Sequence, residues 1–125
     1  MKITEAELSV LEAIWKVGKR CALVDIRSNL SNEKEWKTST ICTMLTRLEK
    51  KGAVLKEKDQ VYLYTALISK DEYIQSEVKK IDKLLKGNVK HLFAAFCSAE
   101  NLTKTDIEEI DDLWQKKKEE MLHHE

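Results

Sequence analysis

The chain has 125 residues with no Pro, three Gly, 35% charged and 42% hydrophobic residues, the make-up of one helix-rich domain or a small domain with an appendage. No apolar run approaches the roughly eighteen residues of a membrane span and no secretory h-region is present, so a cytoplasmic protein without a membrane partner is expected. Cys21, Cys42 and Cys97 are scattered, with no CxxC, and read as reduced structural thiols rather than a disulfide framework or zinc site.

The formal net charge is zero, which alone speaks against a nucleic-acid partner, but the charge is unevenly placed. Residues 1–68 carry 12 Lys and Arg against 9 Asp and Glu, a net +3, leaving −3 for residues 69–125. Residues 34–58 hold 7 basic against 3 acidic side chains, a net +4. Lys and Glu that merely solvate helix surfaces give similar totals; gathering around one segment is what suggests a local polyanion site.

Thr4-Glu5-Ala6-Glu7 has the form of a capping box. The helix it opens carries Leu8, Leu11, Ile14 and Trp15 as a core stripe, with Val10 and Ala13 near its edge, and Gly18 ends it. A shorter helix fits residues 23–30, with Leu23, Ile26 and Leu30 inward and Asp25, Arg27 and Ser28 outward. Residues 31–35 read as a polar connecting turn, and Trp36 as an apolar anchor.

Residues 37–52 form the central segment. Ile41, Met44, Leu45 and Leu48 recur at i, i+3, i+4 and i+7, so one side of a helix is apolar. The other side offers Ser39, Cys42, Thr43 and Thr46, small groups that let a backbone approach another surface. Thr38 is the expected N-cap and Gly52 the stop. Two short amphipathic helices feeding a third form a helix-turn-helix, whose later helix enters the DNA major groove. In that placement Thr38, Ser39, Cys42, Thr43 and Thr46 face bases, while Lys37, Arg47, Lys50 and Lys51 hold phosphates.

After Gly52 the period changes. Val54–Lys58 and Val61–Leu67 read as two strands joined at Asp59-Gln60, a hairpin whose loop, lacking Gly, is expected to be a residue or two longer. Lys56, Lys58, Tyr62 and Tyr64 would be placed to touch phosphates from this ribbon, and Lys56, Lys58 and Tyr62 are the expected phosphate contacts. A hairpin after three helices makes a winged helix. The fold class is therefore mainly α with a small β-hairpin: a winged helix-turn-helix DNA-binding domain over residues 1–68 and a helical dimerisation region over 69–125.

That second region opens with the capping box Ser69-Lys70-Asp71-Glu72, breaks at Gly87-Asn88, continues through an apolar Val89–Cys97 and closes with a helix capped at Thr103, expected to fray over residues 119–125. Ile74, Val78, Ile81, Leu85, Leu92, Phe93, Phe96, Ile107, Ile110 and Trp114 give it more apolar surface than three short helices bury among themselves. A second copy of the chain is the expected cover, with a monomeric fold-back as the alternative. Two recognition helices about a two-fold axis match palindromic half-sites roughly 34–36 Å, or a multiple, apart.

The sequence holds no Gly-rich phosphate loop, nucleophile elbow or His-Glu-x-x-His. His91 has no ligand partner at helical spacing, and Cys42 reads as a small residue that fits. Neither enzymatic activity nor a cofactor or metal is expected.

The chain resembles the BlaI/MecI-type penicillinase and methicillin-resistance repressors, a winged-helix family. The likeness rests on Ile3-Thr4-Glu5-Ala6-Glu7 with Ile14-Trp15, on Thr40-Ile41, Leu45-Thr46-Arg47-Leu48 and Lys50-Lys51-Gly52, on Tyr62-Leu63-Tyr64, and on Leu92-Phe93-Ala94-Ala95-Phe96 before Ile107-Glu108-Glu109-Ile110. It implies a homodimeric repressor on a palindromic double-stranded DNA operator, in some members of antibiotic-resistance genes. In those β-lactam-responsive members a membrane sensor-protease system leads to cleavage in the dimerisation region, which unlinks the two half-sites. Three departures stand out. Ser39 and Cys42 occupy positions where the family usually carries Lys and Arg. Ala95-Phe96 matches a scissile Asn-Phe bond. The Cys-rich tail of copper-responsive members is absent. A ligand-gated repressor with a small molecule near Phe93 and Phe96, or a winged-helix module that binds protein rather than DNA, are the alternatives.

Overall fold

The computed structural model describes residues 1–30, 35–98 and 101–123. It divides into two compact units, Met1–Lys80 and Ile81–Glu125. The order is α1 (Glu5–Val17), β1 (Cys21–Ala22), α2 (Leu23–Ser28), α3 (Thr38–Lys50), β2 (Val54–Asp59), β3 (Val61–Ala66), α4 (Lys70–Leu85), α5 (Val89–Cys97) and α6 (Lys104–His123). This is the expected winged helix followed by a helical region. The turn expected over residues 31–35 falls, for its first four residues, outside the described residues.

In the first unit α1, α2 and α3 enclose one core. Its fully buried members include Val10, Leu11, Ile26, Ile41, Leu45, Leu48 and Val54, with Trp15, Leu23 and Trp36 packed at its margin. The inward face of α1 is rotated from the expected stripe. Val10 and Ala13 are central, Leu8 is only half-buried, and Glu7 is the one buried charged residue among those described. Trp15 instead ties α1 to the start of α4: its Nε1 donates to the Ile68 carbonyl at 2.9 Å, and its ring lies 6.0 Å from that of Tyr73.

The sheet is three-stranded, in the order β1-β3-β2, and wholly antiparallel. β1 was not anticipated; two residues carry no periodicity, and Cys21 and Ala22 are strand only because they pair with Tyr64 and Leu63. The hairpin turn is tighter than expected, not longer. Asp59 pairs with Val61, leaving Gln60 alone at φ 61°, a left-handed conformation open to a non-Gly residue at modest cost.

The α4 capping box forms as written, Ser69 N–H donating to Glu72 at 3.2 Å and Glu72 N–H to Ser69 Oγ at 3.1 Å. The same reciprocal pair joins Thr103 and Asp106 at the start of α6, and it holds the Asp106 carboxyl below its ordinary range. Helix α6 does not fray at residue 119 but continues to His123, since Glu, Met and Leu are all good helix formers.

Candidate nucleic-acid interface

Helix α3 buries Ile41, Met44, Leu45 and Leu48, as their spacing predicts. Its end is a Schellman motif: Gly52 N–H donates to Glu49 O at 3.1 Å and Ala53 N–H to Leu48 O at 2.9 Å, with Gly52 at φ 79°. The N-cap is Lys37, one residue before the expected Thr38, and its side chain makes no capping bond. Thr38 is already helical. Its hydroxyl accepts a hydrogen bond from the Arg27 guanidinium of α2, a link that sequence spacing did not reveal.

The outer side of α3 is as small and polar as expected. Thr38, Ser39, Thr43 and Thr46 are exposed and Cys42 is half-buried. Thr43 Oγ1 donates to Ser39 O at 2.8 Å and Thr46 Oγ1 to Cys42 O at 2.9 Å. Lys37, Arg47 and Lys50 are exposed, and among the described residues no carboxylate lies within 4.0 Å of their charged groups.

Lys51 behaves differently. Its Nζ sits 2.8 and 2.5 Å from the two carboxylate oxygens of Glu7 and 2.7 Å from the Lys2 carbonyl. A phosphate would have to displace a buried carboxylate, so the expected phosphate role is corrected to an internal one. Burial pushes the Glu7 carboxyl up, but the Lys51 ammonium and hydrogen bonds with Thr4 outweigh it and leave it below its ordinary range.

On the hairpin, the register Lys56↔Tyr64 and Lys58↔Tyr62 places these four side chains on one face. Lys56 Nζ lies 4.1 Å and Lys58 Nζ 5.6 Å from the Tyr62 ring centroid; both ammoniums are gathered over one exposed aromatic. Tyr64 is buried. It shares the core with Ile41, Met44, Leu45 and Leu48 of α3; burial pushes its phenol up, and Cys42 and Glu49 add to the effect. Arg20, just before β1, pairs with Glu57 of β2 at 3.7 Å.

Helices α4, α5 and α6 contain no buried residue. Ile74, Val78, Ile81, Phe93, Phe96, Ile107, Ile110 and Trp114 are all exposed, while Leu85 and Leu92 are half-buried. In the second unit Phe93 and Trp114 approach to 6.2 Å between ring centroids. Phe93, Phe96, Cys97, Leu102, Ile107 and Ile110 line an apolar hollow of about 250 Å³. Ala95 and Phe96 lie exposed within α5. Among the described residues there is no cluster of three or more His, Cys, Asp or Glu able to hold a metal. No helix among them is long and apolar enough to cross a membrane.

The penicillinase repressor family model matches residues 3–116. The methicillin resistance regulatory protein MecI of Staphylococcus aureus strain N315 is 31% identical over 118 residues, 93% of this chain and 95% of that protein. The penicillinase repressor of Bacillus licheniformis is 34% identical over 118 residues, 91% and 88% of the two chains. Among solved structures, the DNA binding domain of the repressor BlaI is 38% identical, covering 58% of this chain and 88% of that one with a TM-score of 0.49. Bordetella bronchiseptica BpsR covers 94% of this chain and 76% of its own at 18% identity and a TM-score of 0.51, a likeness of fold alone. With the family model spanning most of the chain, and two relatives above 30% identity over nearly their whole length, the chain belongs to the penicillinase repressor family, whose members are transcriptional repressors.

Proposed function

We propose that this chain represses transcription by binding a palindromic double-stranded DNA operator as a homodimer, residues 1–68 reading DNA and residues 69–125 joining the copies. The observation that carries the reading is the outer side of α3. It combines small exposed groups with cations that no described carboxylate neutralises, beside a wing whose two lysines gather over Tyr62. Ser39, Cys42, Thr43 and Thr46 face base edges, with Thr38 at the entrance of the helix. Lys37, Arg47, Lys50, Lys56, Lys58 and Tyr62 hold phosphates. Phosphate contacts supply affinity and base contacts supply sequence choice.

Support for the homodimer comes from α4–α6, where large apolar side chains stand exposed and none is buried. Such a face on a small chain calls for a partner, and a second copy satisfies it isologously. Release follows from unlinking the copies. The family resemblance and the exposure of Ala95 and Phe96 on α5 support cleavage there by a sensor-protease system, and local unwinding of α5 must precede the cut. The cellular site for this activity is the cytoplasm, where the operator is.

A salt titration of the full chain against random-sequence duplex tests the reading. Binding that weakens steeply with salt is expected. No binding at low salt would instead make the chain a protein-interaction module. Sedimentation equilibrium tests the dimer.

A further inference from the structure

From Thr38 to Thr46 the recognition helix carries no charged side chain at all. About two and a half turns of the proposed DNA-facing surface are therefore without a cation of their own. Lys37 and Arg47 flank the stretch, and a third cation is brought to its start by the preceding helix. Arg27, in the last turn of α2, is exposed, and its guanidinium donates to the hydroxyl of Thr38, in the first turn of α3. The first turn of α3 contains no acidic residue, and among the described residues no carboxylate lies within ion-pair distance of Arg27.

A guanidinium has five N–H donors in a rigid fork. Thr38 holds it at the start of α3 and leaves most of the fork unoccupied. An arginine already fixed by a neutral hydroxyl keeps its full charge and loses less freedom on meeting an oxyanion than one that sweeps solvent. A carboxylate partner would have cancelled the charge; a threonine does not. In a helix-turn-helix the helix before the recognition helix crosses the DNA backbone, so a cation at this junction meets phosphate rather than a base edge.

We propose that Arg27 is a DNA phosphate contact donated by α2, and that Thr38 is its positioning residue rather than a reader of bases. The inference rests on the DNA-binding function proposed above. The side chains at its centre were placed on an outward face and on a base-reading face respectively by sequence alone, and nothing in their spacing joined them.

The test is salt-dependent binding of the full chain to a random-sequence duplex and to the duplex this protein enriches from a randomised pool. Arg27→Gln is expected to weaken both by the same factor, about five- to tenfold at low salt, and to lower the slope of log affinity against log salt by about one. Arg27→Lys restores the slope but only part of the affinity, because an ammonium has no fork. Thr38→Val gives a smaller loss with the slope unchanged. Unaltered affinity and slope in Arg27→Gln would overturn the proposal, as would a loss confined to the enriched duplex, the signature of a base contact. Failure of the unmodified chain to bind either duplex would overturn it together with the function on which it rests.

Discussion

The Lys51 ammonium bridges both oxygens of the Glu7 carboxylate, at 2.8 and 2.5 Å, and so fastens the first turn of α1 to the residue that ends the recognition helix. Glu7 is almost wholly buried, whereas about a third of the Lys51 side chain meets solvent. A buried carboxylate stripped of its partner is the costly case. Lys51→Met is therefore expected to destabilise the chain by roughly 2–3 kcal/mol, below the full cost of a wholly buried pair. The double variant Glu7→Leu with Lys51→Met should regain most of that loss, since no orphaned charge remains. Urea denaturation of the three proteins measures both quantities. A Lys51→Met chain as stable as the parent would show the bridge to be energetically idle.

The same bridge sets an acid limit. Glu7 has a carboxyl pKa below its ordinary 4.5 in the folded chain, so the folded state binds its proton less readily than the unfolded state. The resulting stability is present above about pH 4.5 and drains away as the pH falls through the lowered value. Glu7→Gln removes that contribution. Stability of the parent should drop more steeply than that of Glu7→Gln as the pH falls below about 4.5, as read from denaturation midpoints.

Arg47 and Thr43 separate affinity from sequence choice. Arg47→Ala should weaken binding to every duplex alike and flatten the salt dependence by about one. Thr43→Val keeps the shape of the side chain and removes its hydroxyl, so it should change which half-site is preferred, by about 1–3 kcal/mol at the affected base pair. Enrichment from a randomised pool reads this change directly. Equal losses on enriched and random DNA in both variants would mean that the two faces of α3 have been assigned wrongly.

Pairing of the copies is tested at Phe93, which is exposed and stacks near Trp114. Phe93→Glu introduces a charge into the proposed contact and should shift sedimentation from dimer to monomer at micromolar concentration. Affinity for a full palindrome should then fall by roughly 10²–10⁴ as linkage is lost, with single half-site binding little changed. A dimeric Phe93→Glu protein would move the interface elsewhere.

Gly52 offers a purely conformational test. It lies at φ 79°, and a Cβ there would meet no atom within 4 Å. Gly52→Ala therefore pays for backbone geometry alone, about 1 kcal/mol. A much larger drop in thermal stability would show that the end of α3 tolerates no adjustment.

The inward face of α3 was fully legible because four apolar residues at helical spacing leave one solution, and all four are buried. The wing was legible because alternating aromatic and β-branched residues follow a glycine stop. What escaped the sequence was whatever depends on a distant partner. Cys21 and Ala22 become strand only against β3. Glu7 looked like one half of a cap, yet its carboxylate turns inward to a lysine 44 residues away. That lysine in turn looked like one more surface cation. The Arg27–Thr38 link joins residues separated by a stretch of sequence with no regular period. In the second region the apolar positions were readable but their cover was not, since no residue of α4, α5 or α6 is fully buried.

The hydroxyl hydrogens of Thr43 and Thr46 point back along α3 to the carbonyls of Ser39 and Cys42. In the proposed complex these two residues would consequently offer DNA lone pairs and methyl groups, and no donor. The amino edges of adenine and cytosine find acceptors there, and the thymine methyl finds an apolar neighbour; guanine, which presents acceptors in the major groove, finds nothing to match. In the proposed complex, discrimination against guanine on the contacted strand would thus follow from the backbone hydrogen bonding of the helix, and not only from the identity of its side chains.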